Sequence, residues 1–397
     1  RDRSVSRGLG DVYKRQIFMK KIVSVVIAAA VISAMLPISV LADEEHELSA
    51  HSAIVMCADT GDVIFEKNAD ERMLIASITK IMTAIVVIEN SDLDEPIVIK
   101  PEWSAIEGSS MYANPGQSYT VRELLYGMML NSGNDAAAAL ACTVCGDEST
   151  FVEKMNETAS RLGMENSSFR NPHGLDEDGH YSTARDMARL TAYCMENDDF
   201  RGIASTNCAV IKGVTYYNHN RLLREYEGCI GVKTGYTMAA GRTLVSCAER
   251  NGMRLVCVTL SAPDDWNDHK YLLDKAFSDY RVASYSPDSF KVTLDVASSA
   301  ASTAEAIPQN EIKLLVRSDD ELDVKLEAPR ILFAGGIEGE RIGKISLFVN
   351  GSLAAQENLV YTEDVKTDPA QRLTPGERIL RIFDTALRPY YIEGEAK

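Results

Sequence analysis

The sequence predicts an α+β protein: an antiparallel sheet flanked by helices with a helical insert, then a small all-β domain and a C-terminal amphipathic helix. Hairpin patterns lie at both ends of residues 44–282, and helical periodicity fills the stretch between them. Residues 284–371 return to strand-like alternation. Short apolar runs separated by turn residues indicate hairpins, so this order of signals predicts one sheet built from both ends of the first domain.

Two hairpins frame this first domain. Apolar runs at residues 52–56 and 63–65 surround an Asp-Thr-Gly-Asp turn sequence. A second pair of runs, at 243–246 and 255–258, surrounds an Asn-Gly pair. Asn-Gly between apolar runs is the strongest short-range hairpin signal. We therefore expect strands at all four positions.

Helical signals occupy the middle of the domain. Thr120 and Glu123 form a capping-box pattern that opens a helix. Helical character continues to about Asn197, and residues 272–280 predict a closing helix. The earliest helix presents one apolar stripe at positions i, i+3, i+4 and i+7, formed by Ile78, Ile81, Met82 and Ile85.

The second domain, residues 284–371, differs in composition from the first. Residues 322–327 alternate strictly between apolar and polar, as a half-buried strand does. Residues 344–349 end at a second Asn-Gly pair. The segment contains no constellation of catalytic side chains, so we interpret it as a scaffold or spacer.

Residues 373–390 predict a basic amphipathic helix. It opens with Thr-Pro-Gly-Glu, which combines an N-cap, a proline at the first helical position and a capping box. Such a helix can lie in a membrane interface, and the alternative is that it docks on the β domain. We expect contact with the membrane surface. The apolar positions are Ile379, Ile382, Phe383, Ala386 and Leu387, and the basic ones are Arg378, Arg381 and Arg388.

The N-terminal region predicts export. Residues 1–18 precede Met19 and do not look native, and residues 19–42 have the basic start, apolar run and small residues of a signal peptide. Cleavage is expected near Asp43. The alternative, a transmembrane helix, is disfavoured because the apolar run is short and Pro37 interrupts it.

Composition excludes several classes of function. The chain has 397 residues and a net charge of -17, which argues against a nucleic-acid partner because phosphate binding needs clustered Lys and Arg. Its eight cysteines fit no compact disulfide framework. Its six histidines show no metal-binding spacing, so we assign neither a metal nor a cofactor.

The first candidate for chemistry is Ser77-Ile-Thr-Lys80 at the start of the earliest helix. Residues three apart on a helix share a face, so the Ser77 hydroxyl and the Lys80 amine are expected to meet. A serine hydroxyl is a weak nucleophile that needs a nearby base. A lysine can be that base if burial or a neighbouring cation lowers its pKa.

Two further motifs follow. Ser132-Gly-Asn134 lies at a corner between two helices and offers a hydroxyl for proton relay and an amide for holding a peptide. Lys233-Thr234-Gly235 lies on a predicted strand. Its lysine supplies positive charge and its threonine a hydroxyl for a substrate carboxylate. A glycine in a strand also permits close approach of a substrate backbone.

Together and in this order, the three motifs resemble the set found in penicillin-binding proteins and class A β-lactamases. The chain resembles the low-molecular-mass penicillin-binding proteins, the serine-type D-alanyl-D-alanine carboxypeptidases of peptidase S11 type. That resemblance implies a β-lactamase/transpeptidase-like fold for residues 44–282. The segments at 171–175, 179–184 and 218–223 also look like the family's sequence. Gly133 stands where the broader motif has Asp, and S-G-N is usual in this family.

The resemblance implies the catalytic roles. Ser77 attacks the carbonyl between two terminal D-alanines of a peptidoglycan stem peptide, Lys80 takes its proton, and Ser132 relays a proton to the leaving nitrogen. Water then hydrolyses the acyl-enzyme. A β-lactam mimics the substrate and is expected to acylate the same serine. The location implied is the extracytoplasmic face of the bacterial membrane or the cell wall.

The resemblance also implies substrate-binding roles. Asn134 holds the peptide amide, Lys233 provides a positive field, and Thr234 binds the terminal carboxylate. Gly235 completes the strand motif, and the backbone N–H of Tyr236 contributes to the oxyanion hole. Many relatives have His at the position of this tyrosine. The stretch 262–269 also lacks an arginine that some relatives carry there.

Two alternatives are weighed against this hypothesis. A class A-like β-lactamase needs a Glu-activated water for deacylation, and its usual Glu-x-x-x-Asn pattern is missing because Phe169 stands four residues after Glu165. A non-catalytic wall-binding protein would be indicated by loss of Ser77 or Lys80, and both are present. The carboxypeptidase is therefore preferred.

Overall fold

The structure is a computed structural model that describes residues 47–296, 303–329, 332, 334–366, 376, 379–380 and 392–393. Its described fold belongs to one compact unit, Leu48–Lys397. The predicted leader (1–18) and signal peptide (19–42) lie outside the described residues, as does most of the predicted helix at 373–390. Among the residues described, no helix is long and apolar enough to cross a membrane.

In chain order the strands are β1 (Ser52–Cys57), β2 (Val63–Lys67), β3 (Pro96–Val98), β4 (Ser118–Thr120), β5 (Cys208–Ile211), β6 (Val214–Tyr217), β7 (Cys229–Thr237), β8 (Gly241–Arg250), β9 (Met253–Leu260), β10 (Tyr280–Tyr285), β11 (Lys291–Asp295), β12 (Thr303–Pro308), β13 (Ile312–Arg317), β14 (Leu322–Glu327), β15 (Arg341–Val349), β16 (Ser352–Tyr361) and β17 (Ile392–Glu393).

The helices are α1 (Lys80–Asn90), α2 (Val121–Leu130), α3 (Asn134–Cys145), α4 (Glu148–Arg161), α5 (Ala184–Glu196), α6 (Asp198–Ala204), α7 (Leu222–Glu225) and α8 (Asp265–Asp279). Two short 3-10 helices, Ala76–Thr79 and Trp103–Ala105, complete the set of helical elements described.

Strands from both ends of the first domain form a five-stranded antiparallel sheet in the order β2-β1-β9-β8-β7. Both predicted hairpins are confirmed as β1–β2 and β8–β9. Asn251 and Gly252 both have positive φ at the second turn, which is why Asn-Gly stands there. Strand β7, which carries the third motif, lies at one edge of this sheet.

The sheet is covered on both faces, so its inner strands β1, β8 and β9 are mostly buried. Along β1, Ile54 and Met56 join the large core formed with the helical insert. The alternate residues Ala53, Val55 and Cys57 join a second core, to which α8 contributes. This alternation follows from the two-residue period of a strand. The predicted α+β class with an antiparallel sheet is thereby confirmed.

The helical insert agrees with its sequence signals. Thr120 accepts a hydrogen bond from the Glu123 backbone, and the Glu123 carboxylate accepts one from the Thr120 backbone, so α2 has its capping box. The closing helix, α8, begins at Asp265, earlier than the apolar pattern from residue 272 predicts. Its first turn is more polar, with Asp265 and Asp268 near the N-terminus, where carboxylates are favoured.

Strands β11–β12 and β14–β17 form a six-stranded antiparallel sheet with its own hydrophobic core. The predicted strand at 322–327 and the Asn-Gly hairpin after residue 349 are both present, as β14 and as the β15–β16 turn. Ile392 and Glu393 pair with β11, so the C-terminal segment returns to this sheet.

Candidate active site

The first motif forms a tight turn at the start of α1. Ser77 lies in the 3-10 helix Ala76–Thr79, and Lys80 is the first residue of α1. Ala76 has a φ of 48°, a left-handed conformation that only a few per cent of non-glycine residues adopt. The Thr79 hydroxyl donates to the Ala76 carbonyl at 2.8 Å, and the Thr243 hydroxyl donates to the Ile75 carbonyl at 3.1 Å. These bonds hold the turn that presents Ser77.

Lys80 is fully buried and makes three polar contacts. Its Nζ lies 3.0 Å from Ser77 Oγ, 2.7 Å from Asn134 Oδ1 and 2.5 Å from the His173 carbonyl oxygen. The structure thus brings together the predicted serine and lysine, and adds the predicted asparagine. Burial lowers the pKa of Lys80 well below the usual lysine value, and the charge of Lys233 lowers it further.

The carbonyl that receives Lys80 belongs to one of the segments noted in the sequence. Gly174 follows it with a φ of 87°, and a Cβ there would lie 2.0 Å from the Ala76 carbonyl oxygen. Only glycine therefore allows this loop to pack against the serine turn. Burial, followed by the charges of Lys80 and His180, lowers the pKa of His173 to about 3, so its ring is neutral near pH 7.

The second motif joins α2 to α3. Ser132 has a φ of 60°, a strained conformation that costs on the order of 1 kcal/mol. Its hydroxyl accepts a hydrogen bond from Lys233 Nζ at 3.1 Å. Asn134 uses its carbonyl oxygen for Lys80 and donates from Nδ2 to the Glu107 carbonyl at 2.7 Å. The corner thus contacts both lysines of the site, Lys233 through Ser132 and Lys80 through Asn134.

Asp135, which the sequence analysis did not include, anchors the loop beside this corner. Its buried carboxylate accepts hydrogen bonds from the Ser110 hydroxyl and from the backbone N–H groups of Met111 and Ala113. It also raises the pKa of Lys80, against the two larger effects. The available signal was its place in the first turn of α3, where an acidic residue is favoured.

The third motif is on the edge strand β7. Lys233 is buried, and burial lowers its pKa to about 7. From the sequence, a glycine was expected here to let the substrate backbone approach. The structure shows a closer constraint on Gly235 from the protein itself. A Cβ at this position would lie 2.5 Å from Thr243 Oγ1 and 2.9 Å from the Ser77 backbone nitrogen. The missing side chain therefore lets β7 pack against the serine turn.

A cleft of about 310 Å³ joins the three motifs. Five predicted residues line it, and the other three, Lys80, Asn134 and Lys233, are buried next to the residues that do. Five further lining residues were not predicted. The predicted lining residues are Ser77, Ser132, Thr234, Gly235 and Tyr236, and the additional ones are Ser109, His219, Arg242, Asp265 and Trp266.

Comparison with known proteins gives a consistent result. The family described as Peptidase_S11, D-alanyl-D-alanine carboxypeptidase, matches residues 39–264. D-alanyl-D-alanine carboxypeptidase DacF of Bacillus subtilis (strain 168) is 33% identical over 334 residues, which cover 80% of this chain and 86% of DacF. DacC of Escherichia coli (strain K12) is 34% identical over 351 residues, covering 81% and 86% of the two chains.

The fold has close counterparts among solved structures. Penicillin binding protein 5 from Haemophilus influenzae superimposes with a TM-score of 0.66 and 27% sequence identity. The match covers 81% of this chain and 98% of that protein. The likeness therefore extends beyond the residues of the family match into the C-terminal β sheet.

Proposed function

This chain belongs to the D-alanyl-D-alanine carboxypeptidase family, and on that premise we propose that it removes the terminal D-alanine from peptidoglycan stem pentapeptides through an acyl-enzyme on Ser77. The observation that carries the proposal is the 3.0 Å contact between Ser77 Oγ and the Nζ of a fully buried lysine, Lys80. Acylation of a serine requires a base within hydrogen-bond reach of the hydroxyl. A lysine serves as that base when its pKa is lowered.

The hydrogen-bond partners of the Lys80 amine support its role as the base. A neutral amine has two N–H bonds and one lone pair. The Asn134 oxygen and the His173 carbonyl can take both N–H groups, because both are acceptors. The lone pair is then directed at the Ser77 hydroxyl, which donates to it. Burial lowers the pKa of Lys80 well below the usual lysine value, which favours the neutral amine over the charged one.

Acylation then proceeds with a balanced transfer of protons. Ser77 Oγ forms a bond to the carbonyl carbon of the penultimate D-alanine, and Lys80 accepts the hydroxyl proton. As the C–N bond breaks, the proton that Lys80 accepted passes through Ser132 to the nitrogen of the leaving D-alanine, and Lys80 becomes neutral again. Lys233 supports this step, since it donates to Ser132 Oγ at 3.1 Å. Water hydrolyses the ester and restores the Ser77 hydroxyl.

The free edge of β7 supports an extended substrate backbone. Thr234 takes the terminal carboxylate, and the N–H groups of Ser77 and Tyr236 stabilise the oxyanion. Gly235 packs closely against the Ser77 backbone nitrogen. This packing supports the proposal that the Ser77 N–H and the N–H of the next strand residue, Tyr236, bind the same oxyanion. Asn134 retains one N–H on Nδ2 beyond its bond to Glu107, and that group donates to a substrate carbonyl.

A β-lactam acylates the same serine, because its amide opens while the leaving nitrogen stays tethered to the molecule. Incubation with benzylpenicillin should therefore raise the intact mass by the whole mass of the antibiotic, and peptide mapping should assign the adduct to Ser77. Ser77→Ala should abolish the adduct. Ser109→Ala, which changes another serine of the cleft, should retain it. An adduct that survives in folded Ser77→Ala protein would contradict the proposed nucleophile.

The proposed substrate belongs to the cell wall, which requires an extracytoplasmic location. We propose that residues 19–42 direct export and that residues 373–390 bind the membrane surface through a basic amphipathic helix. Attachment of this kind brings the cleft close to newly made peptidoglycan.

A further inference from the structure

Arg242 stands on β8 directly opposite Tyr236 of the edge strand β7. Thr234, the expected carboxylate ligand, pairs with Leu244, two residues further along β8. Thr234 and Arg242 are therefore diagonal neighbours on adjacent strands. Diagonal neighbours lie about 7–8 Å apart, within reach of long side chains. A group bound at Thr234 consequently lies within reach of the Arg242 guanidinium.

The same cleft contains both side chains, together with Ser77. Arg242 keeps 41% of its side-chain surface exposed, although it contacts a buried carboxylate. Its Nε and Nη2 donate to Asp265 Oδ1 at 3.1 and 2.9 Å. These bonds use two of its five N–H groups, and the guanidinium can offer others to a ligand in the cleft.

Two residues at the start of α8 orient the guanidinium. Asp265 is almost fully buried and binds it through one carboxylate oxygen. The Trp266 ring lies 5.6 Å from the guanidinium carbon and provides a cation–π contact. The first turn of α8 thus contributes an acid and an aromatic ring that hold an arginine of β8.

The charge of Arg242 differs in kind from that of the two lysines. Burial lowers the pKa of Lys233 to about 7, and burial also lowers the pKa of Lys80 well below the usual lysine value. Arginine stays protonated at any pH that a protein tolerates. Among the described residues that line the cleft, Arg242 is thus the side chain with a permanent positive charge. A planar guanidinium also matches a carboxylate in shape and charge.

We propose that Arg242 binds the terminal carboxylate of the substrate together with Thr234 and makes the enzyme selective for peptides that end in a free acid. This inference rests on the proposed function. Asp265 and Trp266 are positioning residues that act through the guanidinium.

The test compares a peptide ending in D-Ala-D-Ala with the same peptide as its C-terminal amide. Arg242→Gln should lower kcat/KM for the acid about 10–100-fold, mainly through KM, because a charge-assisted contact to bound substrate is lost. Activity on the amide should change less than about threefold. Arg242→Lys should recover part of the loss. Asp265→Asn should reduce the preference for the acid without removing it.

Arg221→Gln is the matched control. Arg221 also lies over Trp266, at 5.7 Å, but it pairs with Glu225 and is not among the residues that line the cleft. Its substitution should leave the preference for the acid unchanged. An equal loss on acid and amide in Arg242→Gln, or an unchanged preference, would overturn the inference.

A comparison of two β-lactams separates this inference from the proposed function. Arg242→Gln should slow acylation by benzylpenicillin, which has a free carboxylate, more than acylation by its methyl ester. This comparison needs no peptide turnover. Suppose that wild type releases no D-alanine, yet Arg242→Gln slows acylation by benzylpenicillin more than acylation by the methyl ester. The carboxypeptidase proposal then fails, while carboxylate recognition by Arg242 stands. If both β-lactams are affected equally, the recognition fails.

Discussion

Two buried lysines, Lys80 and Lys233, dominate the electrostatics of the site at the scale of single residues. Each is stripped of water, and each has its pKa lowered mainly for that reason. The lowered pKa favours the neutral, basic form of Lys80. With a pKa of about 7, Lys233 can hold or lose its proton near pH 7 while it contacts Ser132 Oγ. The same desolvation destabilises the folded state, because the unfolded chain keeps both amines hydrated and charged.

Lys80→Arg should lower the rate of acylation by a fluorescent penicillin by at least about a thousandfold, because arginine keeps its proton and cannot act as a base. In wild type the rate should fall as Lys80 becomes protonated, at a lower pH than an ordinary lysine would give, because burial lowers its pKa. Lys100→Arg, at an exposed lysine, is the control. Near wild-type acylation by a folded Lys80→Arg protein would show that Ser77 uses another proton acceptor.

Lys233→Met should abolish peptide hydrolysis yet stabilise the fold by about 1–3 kcal/mol at pH 7, because it removes a buried charge site. The folded-state pKa of about 7 lies below the usual 10.5, so the unfolded chain binds more protons between these values. The lysine therefore costs increasing stability as pH falls from about 10.5 to 7. Urea unfolding at pH 7 and pH 9.5 measures this difference, and equal stabilities at pH 7 would contradict it.

At the scale of elements, the contact between edge strand β7 and the serine turn fixes the geometry. Gly235 removes a side chain from this contact, and Gly174 does the same where the loop after α4 meets Ala76. Two glycines therefore set the distances between segments that are far apart in the sequence. Gly174 is also favoured by its own positive φ, whereas the strand around Gly235 does not itself require a glycine. Local sequence patterns therefore do not reveal the contact of Gly235 with the serine turn.

Gly235→Ala should slow acylation at least about a hundredfold and destabilise the fold by about 1–3 kcal/mol, because the new methyl group overlaps the Ser77 nitrogen and Thr243 Oγ1. Gly202→Ala, where a Cβ meets no atom within 4 Å, should be neutral or stabilising. Thermal unfolding and penicillin acylation measure the two effects. Normal acylation by Gly235→Ala would mean that the strand and the turn do not need this packing.

At the scale of the whole molecule, the sequence predicted the parts of the fold that depend on local periodicity. The β1–β2 and β8–β9 hairpins, the capping box of α2 and the Asn-Gly turn of the β sheet all carry short-range signals. The meeting of Ser77 with Lys80 was predicted from helical spacing. The contact of Lys80 with Asn134 was not predicted, because the resemblance gave Asn134 only a role in holding the substrate. Arg242 was missed because its place in the cleft depends on the register between β7 and β8, which no single segment encodes.

The predicted membrane helix is tested best by point substitution, because truncation would also remove Ile392 and Glu393, which pair with β11. Ile382→Asp combined with Phe383→Asp should release the protein from anionic vesicles, since each buried apolar side chain contributes about 1.5–3 kcal/mol at most. Glu377→Gln is the control. Co-sedimentation at low and high salt measures attachment, and equal sedimentation of both variants would contradict a membrane helix. Hydrolysis of a soluble peptide should not change.

Release of D-alanine from a stem pentapeptide ending in D-Ala-D-Ala tests the central claim most directly. Purified wild-type protein should release one D-alanine per peptide and leave the tetrapeptide, and a folded Ser77→Ala variant should release none. The same peptide ending in L-alanine controls for stereochemistry and should remain intact. If folded wild-type protein releases no D-alanine, or if Ser77→Ala releases it at the wild-type rate, the account of this site is contradicted.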